Sequence, residues 1–116
     1  MGFISSILAL FISAPAVTTA YAANENTVIL DVRTPSEFSS NHIKGAINID
    51  FYSADFEAKI KALDKNKDYK VYCRSGNRSG QAVNIMKKLA FKEVENVGGI
   101  NQAAKKLNLV CEKDPC

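Results

Sequence analysis

The sequence predicts an α/β domain: a central, mostly parallel sheet of four to five short strands, with helices on both faces. Three observations predict it. Short apolar runs rich in β-branched residues alternate with stretches of helical spacing, the pattern of a parallel sheet covered on both sides. The chain has 116 residues, which suits one domain. Its 47% hydrophobic and 23% charged residues give an ordinary globular balance.

Thr27-Val28-Ile29-Leu30-Asp31-Val32 reads as a buried strand. Thr34 or Ser36 can cap the short helix that follows, with Pro35 near its first turn. Ala46-Ile47-Asn48-Ile49 is a second strand. Phe56, Ile60 and Leu63 fall at i, i+4 and i+7, which predicts a helix over residues 54–63. Asp64 to Asp68 is a polar turn, and Lys70 to Cys73 a third strand. The spacing of Ala82, Val83, Ile85, Met86 and Leu89 predicts a helix from Gln81 to Ala90. Glu93 to Val97 is a fourth strand, ended by Gly98-Gly99, and Asn101 to Leu107 a last short helix.

The first 24 residues carry no charged side chain. An apolar run to Ile12, a break at Pro15 and Ala20-Tyr21-Ala22 fit a secretory signal peptide over residues 1–22. The expected Lys or Arg near the start is missing, and an uncleaved membrane anchor is the competing reading. Cleavage would leave a domain over 23–107 and a tail over 108–116, periplasmic and without stable membrane association. The net charge of +3 is small and scattered, with Lys87-Lys88 and Lys105-Lys106 reading as solvated helix faces, so nucleic acid is not an expected partner.

Of three cysteines, Cys111 and Cys116 sit in the polar tail. Export would favour a disulfide between them. Two cysteines and one distant histidine do not fill a zinc shell, so no metal is expected. Cys73 is then the odd thiol. It opens Cys73-Arg74-Ser75-Gly76-Asn77-Arg78-Ser79-Gly80, between a strand end and a helix start. In parallel sheets, sites form at the carboxyl ends of strands. A thiol there is acidified by cations and by a helix N-terminus. Arg74 and Arg78 supply charge, Gly76 lets loop amides turn inward as an anion nest, and the Ser75 and Ser79 hydroxyls can add hydrogen bonds. A buried structural cysteine above an ordinary turn is the plain alternative.

The reaction is narrowed by what the sequence lacks. Cys–His catalysis needs an imidazole, and nothing brings His42, the chain's one histidine, to the loop; it reads as a turn residue. Cys73 has no Cys-x-x-Cys partner for disulfide exchange. A cysteine phosphatase wants arginine six positions after the cysteine, where Ser79 stands; Arg78 is one position early. The smaller loop suits a single sulfur atom carried as a persulfide.

These residues resemble the rhodanese family, specifically its small exported single-domain members. Leu30 to Phe38 resembles the first family signature, Asn41 to Ile49 the second, Val71 to Ser79 the active-site strand and loop, and Val97-Gly98-Gly99-Ile100 the terminal glycine pair. Asn41 replaces the usual glycine, a swap expected to keep a positive φ. The resemblance implies a thiosulfate sulfurtransferase. The Cys73 thiolate takes sulfane sulfur from a small anionic donor, sulfite leaves, and cyanide or a thiol accepts the sulfur from the persulfide. No separate cofactor is implied. Arg74, Ser75, Gly76, Asn77, Arg78 and Ser79 would bind the substrate and persulfide, with both arginines guiding anions. Asp31 and Arg33 would support the site from the neighbouring strand end, or form a plain structural ion pair. A non-catalytic persulfide carrier or sensor, and a phosphatase or arsenate reductase on the same fold, remain the alternatives.

Overall fold

A computed structural model describes residues 26–113 and 115–116. The expected signal segment, residues 1–22, lies outside the described residues. The elements run β1 (Thr27–Asp31), α1 (Pro35–Ser40), β2 (His42–Ile43), β3 (Ile47–Asn48), α2 (Phe56–Lys61), β4 (Asp68–Cys73), α3 (Asn77–Lys88), β5 (Glu93–Gly99), α4 (Ile100–Leu107) and β6 (Cys111–Glu112). The four strands β3-β1-β4-β5 form a parallel sheet in that order, and β2 and β6 pair antiparallel beside it.

Strand alternation divides the core in two. Leu30, Val71 and Cys73 join one cluster with Phe56 and Ile60 of α2 and with Ala82, Val83 and Met86 of α3. Ile29 and Tyr72 join the other, with Ala103, Ala104 and Leu107 of α4 and with Ile43. Helices therefore cover both faces, as the alternating pattern predicts. No helix among the described residues is long and apolar enough to cross a membrane.

Thr34 is the N-cap of α1, and its hydroxyl accepts from the Glu37 amide while the Glu37 carboxylate accepts from the Thr34 amide. This is the reciprocal capping box that Thr-Pro-Ser-Glu encodes. Three expectations are corrected. The helix after the Cys73 loop starts at Asn77, not Gln81. Gly76, at φ +102°, turns the chain directly into it, and the polar Asn77 and Arg78 carry no apolar periodicity to mark the start. Asn41 is extended, at φ −169°, so it occupies no glycine conformation. Its place is set instead by its side-chain amide, which donates to the Pro115 carbonyl. The fourth strand does not end before the glycine pair: β5 runs through Gly99, with a register shift opposite Val71 and Tyr72.

Candidate active site

The sheet order places a topological switch at its centre. From β1 the chain moves outward to β3, then returns to the other side for β4 and β5. The carboxyl ends of β1 and β4 flank that switch, where open α/β sheets form their crevices. Asp31 ends β1 and Cys73 ends β4.

Cys73 is only 1% exposed, and it is the free cysteine. Its Sγ accepts from the Gly76 amide at 3.0 Å and lies 3.3 Å from the Ser79 hydroxyl. Burial is the largest influence on the thiol and pushes its pKa up. The Ser79 hydroxyl and the backbone amides of Ser79, Ser75 and Gly76 together outweigh it and hold the thiol below its ordinary range. The nest is thus built of backbone donors, available because Gly76 leads straight into α3 and leaves the first helical amides without intrahelical acceptors.

Asn96 of β5 holds this arrangement from the neighbouring strand. Its Nδ2 donates to the Gly76 carbonyl at 3.1 Å, and its Oδ1 accepts from the Gly98 amide at 2.9 Å and the Ser79 hydroxyl at 2.7 Å. Ser79 has one hydroxyl proton and two neighbours that can accept it, Asn96 Oδ1 and Cys73 Sγ. With a neutral thiol, S–H donates to Ser79 while Ser79 donates to Asn96. With a thiolate, the hydroxyl proton can turn to sulfur, where a charge-assisted bond is stronger. Gly99 completes the support: a Cβ there would overlap the Arg74 carbonyl, so only glycine lets the loop lie this close to β5.

The arginines divide their tasks. Arg78 is engaged by Glu37, with Nη1–Oε1 at 2.8 Å and Nη2–Oε2 at 3.1 Å, and its guanidinium stacks 5.4 Å from the Tyr52 ring centroid. The Arg78 hydrogen bonds are the main reason the Glu37 carboxyl is held down at about 2 rather than its ordinary 4.5. Arg78 is near enough for its charge to interact with Cys73, but its fork is filled by a carboxylate. Arg74 is exposed, and its side chain forms no ion pair among the described residues. Arg33 is buried at 4% exposure and grips the fully buried Asp31 through Nε and Nη2, the shortest contact being 2.7 Å. It also donates to the Asn41 carbonyl at 2.6 Å. This pair ties the end of β1 to the α1–β2 corner and makes no hydrogen bond to the Cys73 sulfur.

His42 is held away from the loop. Its ring stacks on Phe38, centroids 3.8 Å apart, and its Nδ1 meets the Phe38 carbonyl at 2.8 Å. No His/Cys/Asp/Glu group among the described residues could hold a metal. Asn77 is exposed at the start of α3, and no hydrogen bond joins it or the Ser75 hydroxyl to the sulfur.

A cavity of about 600 Å³ opens beside the loop, walled by Arg74 and Ser75, by Arg33, Glu37 and Asn41, and by Cys116. Cys111 and Cys116 are bridged, with Cα atoms 5.5 Å apart. The tail is therefore part of the site's surroundings rather than an appendage. Its β6 pairs with β2, Lys44 donates to the Val110 carbonyl, and the Lys113 ammonium donates to the Ser39 carbonyl.

The residues missed from the sequence are Asn96, Glu37 and Tyr52. A polar residue inside the run Val94-Glu95-Asn96-Val97 was the available signal for the first, and the capping box for the second. Nothing local marks Tyr52.

Fold and loop define an α/β domain whose free thiol sits in a backbone anion nest at the sheet's switch point. The description "Rhodanese-like domain" matches residues 15–106. Thiosulfate sulfurtransferase PspE of Escherichia coli K12 is 39% identical over 75 residues, covering 65% of this chain and 72% of that protein. Thiosulfate sulfurtransferase GlpE of Pseudomonas syringae pv. syringae is 37% identical over 76 residues, covering 65% and 69%. A solved rhodanese with anions from E. coli aligns at TM-score 0.63 and 34% identity, covering 76% of this chain and 99% of that one. The chain belongs to the rhodanese family.

Proposed function

We propose that this protein is a thiosulfate sulfurtransferase working through a Cys73 persulfide. One observation carries the reading: a buried thiol, acidified by loop amides and one hydroxyl, with its nearest histidine turned to other partners. Such a thiol needs no general base. The thiolate attacks the outer sulfur of thiosulfate, the S–S bond breaks, and sulfite leaves with the bonding pair. The persulfide then occupies the amide nest, with no separate cofactor. Cyanide or a thiol attacks its outer sulfur and returns Cys73 as thiolate. The names of PspE and GlpE support the substrate class, and the E. coli rhodanese was solved with anions.

The proposed residue roles draw on this geometry. Gly76, Ser75 and Ser79 supply the donors that hold the sulfur. Arg74 on the cavity wall attracts the donor anion. Arg78, fastened by Glu37 and Tyr52, contributes charge and fixes the loop against α1 rather than clamping substrate. Asn77 contributes by starting α3. Asp31 and Arg33 position the strand end.

Cys73→Ser tests the reading. It removes thiocyanate formation from thiosulfate and cyanide while circular dichroism and melting stay close to wild type. Retained turnover in that variant would overturn it. Intact mass before and after thiosulfate separates the carrier alternative, for which a stable gain of one sulfur would come with negligible turnover.

We further propose periplasmic export, with the domain at 23–107 and the tail at 108–116. The uncharged N-terminal stretch and the Cys111–Cys116 bridge support it, since disulfides persist in oxidising compartments. N-terminal sequencing of the exported protein starting at Ala23 is the expected result; an intact Met1 on membrane-bound protein would overturn it.

A further inference from the structure

The disulfide occupies a telling position. Cys116 forms part of the wall of the cavity that Arg74 and Ser75 line on the side of the Cys73 loop. Cys111 does not line that cavity; it sits in β6 opposite Ile43. The two are partly buried, not sealed, and pack on the second core cluster.

Their attachment does not depend on the disulfide alone. The β2–β6 pairing, Lys44 to the Val110 carbonyl, Asn41 to the Pro115 carbonyl and Lys113 to the Ser39 carbonyl all hold the segment in place. None of these contacts runs through the S–S bond, so reduction leaves them available to hold Cys116 at the cavity. Arg74, exposed and outside any ion pair among the described residues, stands on the same wall as Cys116.

We propose that Cys111 and Cys116, when reduced, form a second, redox-active sulfur site that accepts sulfane sulfur from Cys73 within the same chain. The inference rests on the persulfide reading above. In the first step the Cys116 thiolate attacks the outer sulfur of the Cys73 persulfide. The Cys73 S–S bond breaks, Cys73 leaves as thiolate, and Cys116 carries the persulfide. In the second, the Cys111 thiolate attacks the inner sulfur of that persulfide, the tail disulfide closes, and hydrosulfide leaves. An external dithiol restores the tail by exchange and is itself oxidised to its disulfide. The sum is one thiosulfate and one dithiol giving sulfite, hydrogen sulfide and the dithiol's disulfide. Sulfur, protons and electrons balance. Cys73 itself does not line the cavity, so the relay requires the outer sulfur of its persulfide to project past Arg74 and Ser75 to the wall cysteine, and the buried Cys73 then needs no direct approach by a bulky thiol.

The test uses the full chain, reduced with dithiothreitol, desalted under nitrogen and given one equivalent of thiosulfate. Sulfide and sulfite are measured together with intact mass. The expected wild-type result is one sulfide and one sulfite per chain and a mass lower by two hydrogens, with the step from loaded persulfide to sulfide first order and independent of protein concentration. Cys116→Ser keeps the sulfur on Cys73 and loses sulfide release at least tenfold. Cys111→Ser releases no sulfide and carries the sulfur on Cys116, located by peptide mapping after alkylation.

Wild type that keeps its sulfur on Cys73 with both tail thiols free would overturn the relay while leaving the persulfide reading standing. So would undiminished sulfide release from Cys116→Ser, or a persulfide-to-sulfide step whose rate constant, followed after loading, rises with protein concentration. If the double variant Cys111→Ser/Cys116→Ser gains no sulfur from thiosulfate, the persulfide reading fails and the relay with it.

Discussion

The two strand ends that meet at the switch point handle charge in opposite ways. At the end of β4, a buried sulfur faces neutral donors: amides and one hydroxyl. At the end of β1, a buried carboxylate faces a full cation, Arg33, in a paired and saturated arrangement. Neutral dipoles leave a charge on sulfur that can still react, whereas a bidentate ion pair consumes both charges and leaves only position. The first end is suited to chemistry and the second to structure, although both are buried and both stand at the crevice.

The largest expected effect breaks the structural end. Asp31→Asn leaves Arg33 buried without its anion, and loss of one partner from a buried pair costs roughly 3–5 kcal/mol. Chemical denaturation measures it, and a loss below 1 kcal/mol would remove the contrast. Ser79→Ala acts on the other end. A hydrogen bond to a charged group contributes about 1.5–3 kcal/mol, equivalent to roughly one to two pKa units. The Cys73 pKa is depressed in the fold, so thiolate is present above that pKa and lost as pH falls through it. The variant's alkylation profile therefore moves to higher pH, with the melting temperature little changed.

Glu37 joins the two ends, and its effect is smaller. Its folded pKa of about 2 lies below the ordinary 4.5, so its contribution to stability is complete above 4.5 and fades as pH falls toward 2. Glu37→Gln flattens that part of the acid-unfolding curve, which thermal melts across the same interval detect. Smallest is Arg74→Ala. Removing an exposed steering charge should raise KM for thiosulfate roughly two- to fivefold, more at low salt, with kcat and the thiol profile unchanged. A large fall in kcat would place Arg74 on the reacting atoms instead.

Most of this contrast was legible in local sequence, because each main component lies in one short run. Cys73 to Ser79 carries the nest, and Asp31-Val32-Arg33 carries the buried pair within three positions. The parallel sheet was legible from apolar periodicity. What escaped comes from distant strands or has no periodic signature. Asn96 reaches Ser79 and Gly76 only because β5 lies beside β4. Arg78 looks like a free anion guide until α1 brings Glu37 across to it. The two-residue strands β2 and β6 are too short to show alternation, so the tail's return to the site was invisible, and Asn41's role with it. The early start of α3 was hidden because polar residues fill its first turn.

The place of Gly99 under the Arg74 carbonyl has one more consequence. Loop and strand are fitted with no clearance, and the register shift in β5 sets which residue stands there. A loop lengthened by one residue, as a phosphoryl group would require, would need its floor lowered at the same time. Two segments more than twenty positions apart in sequence would have to change together. A single insertion would press the ring against this floor, so the ring's size is constrained by the glycine beneath it as much as by its own sequence.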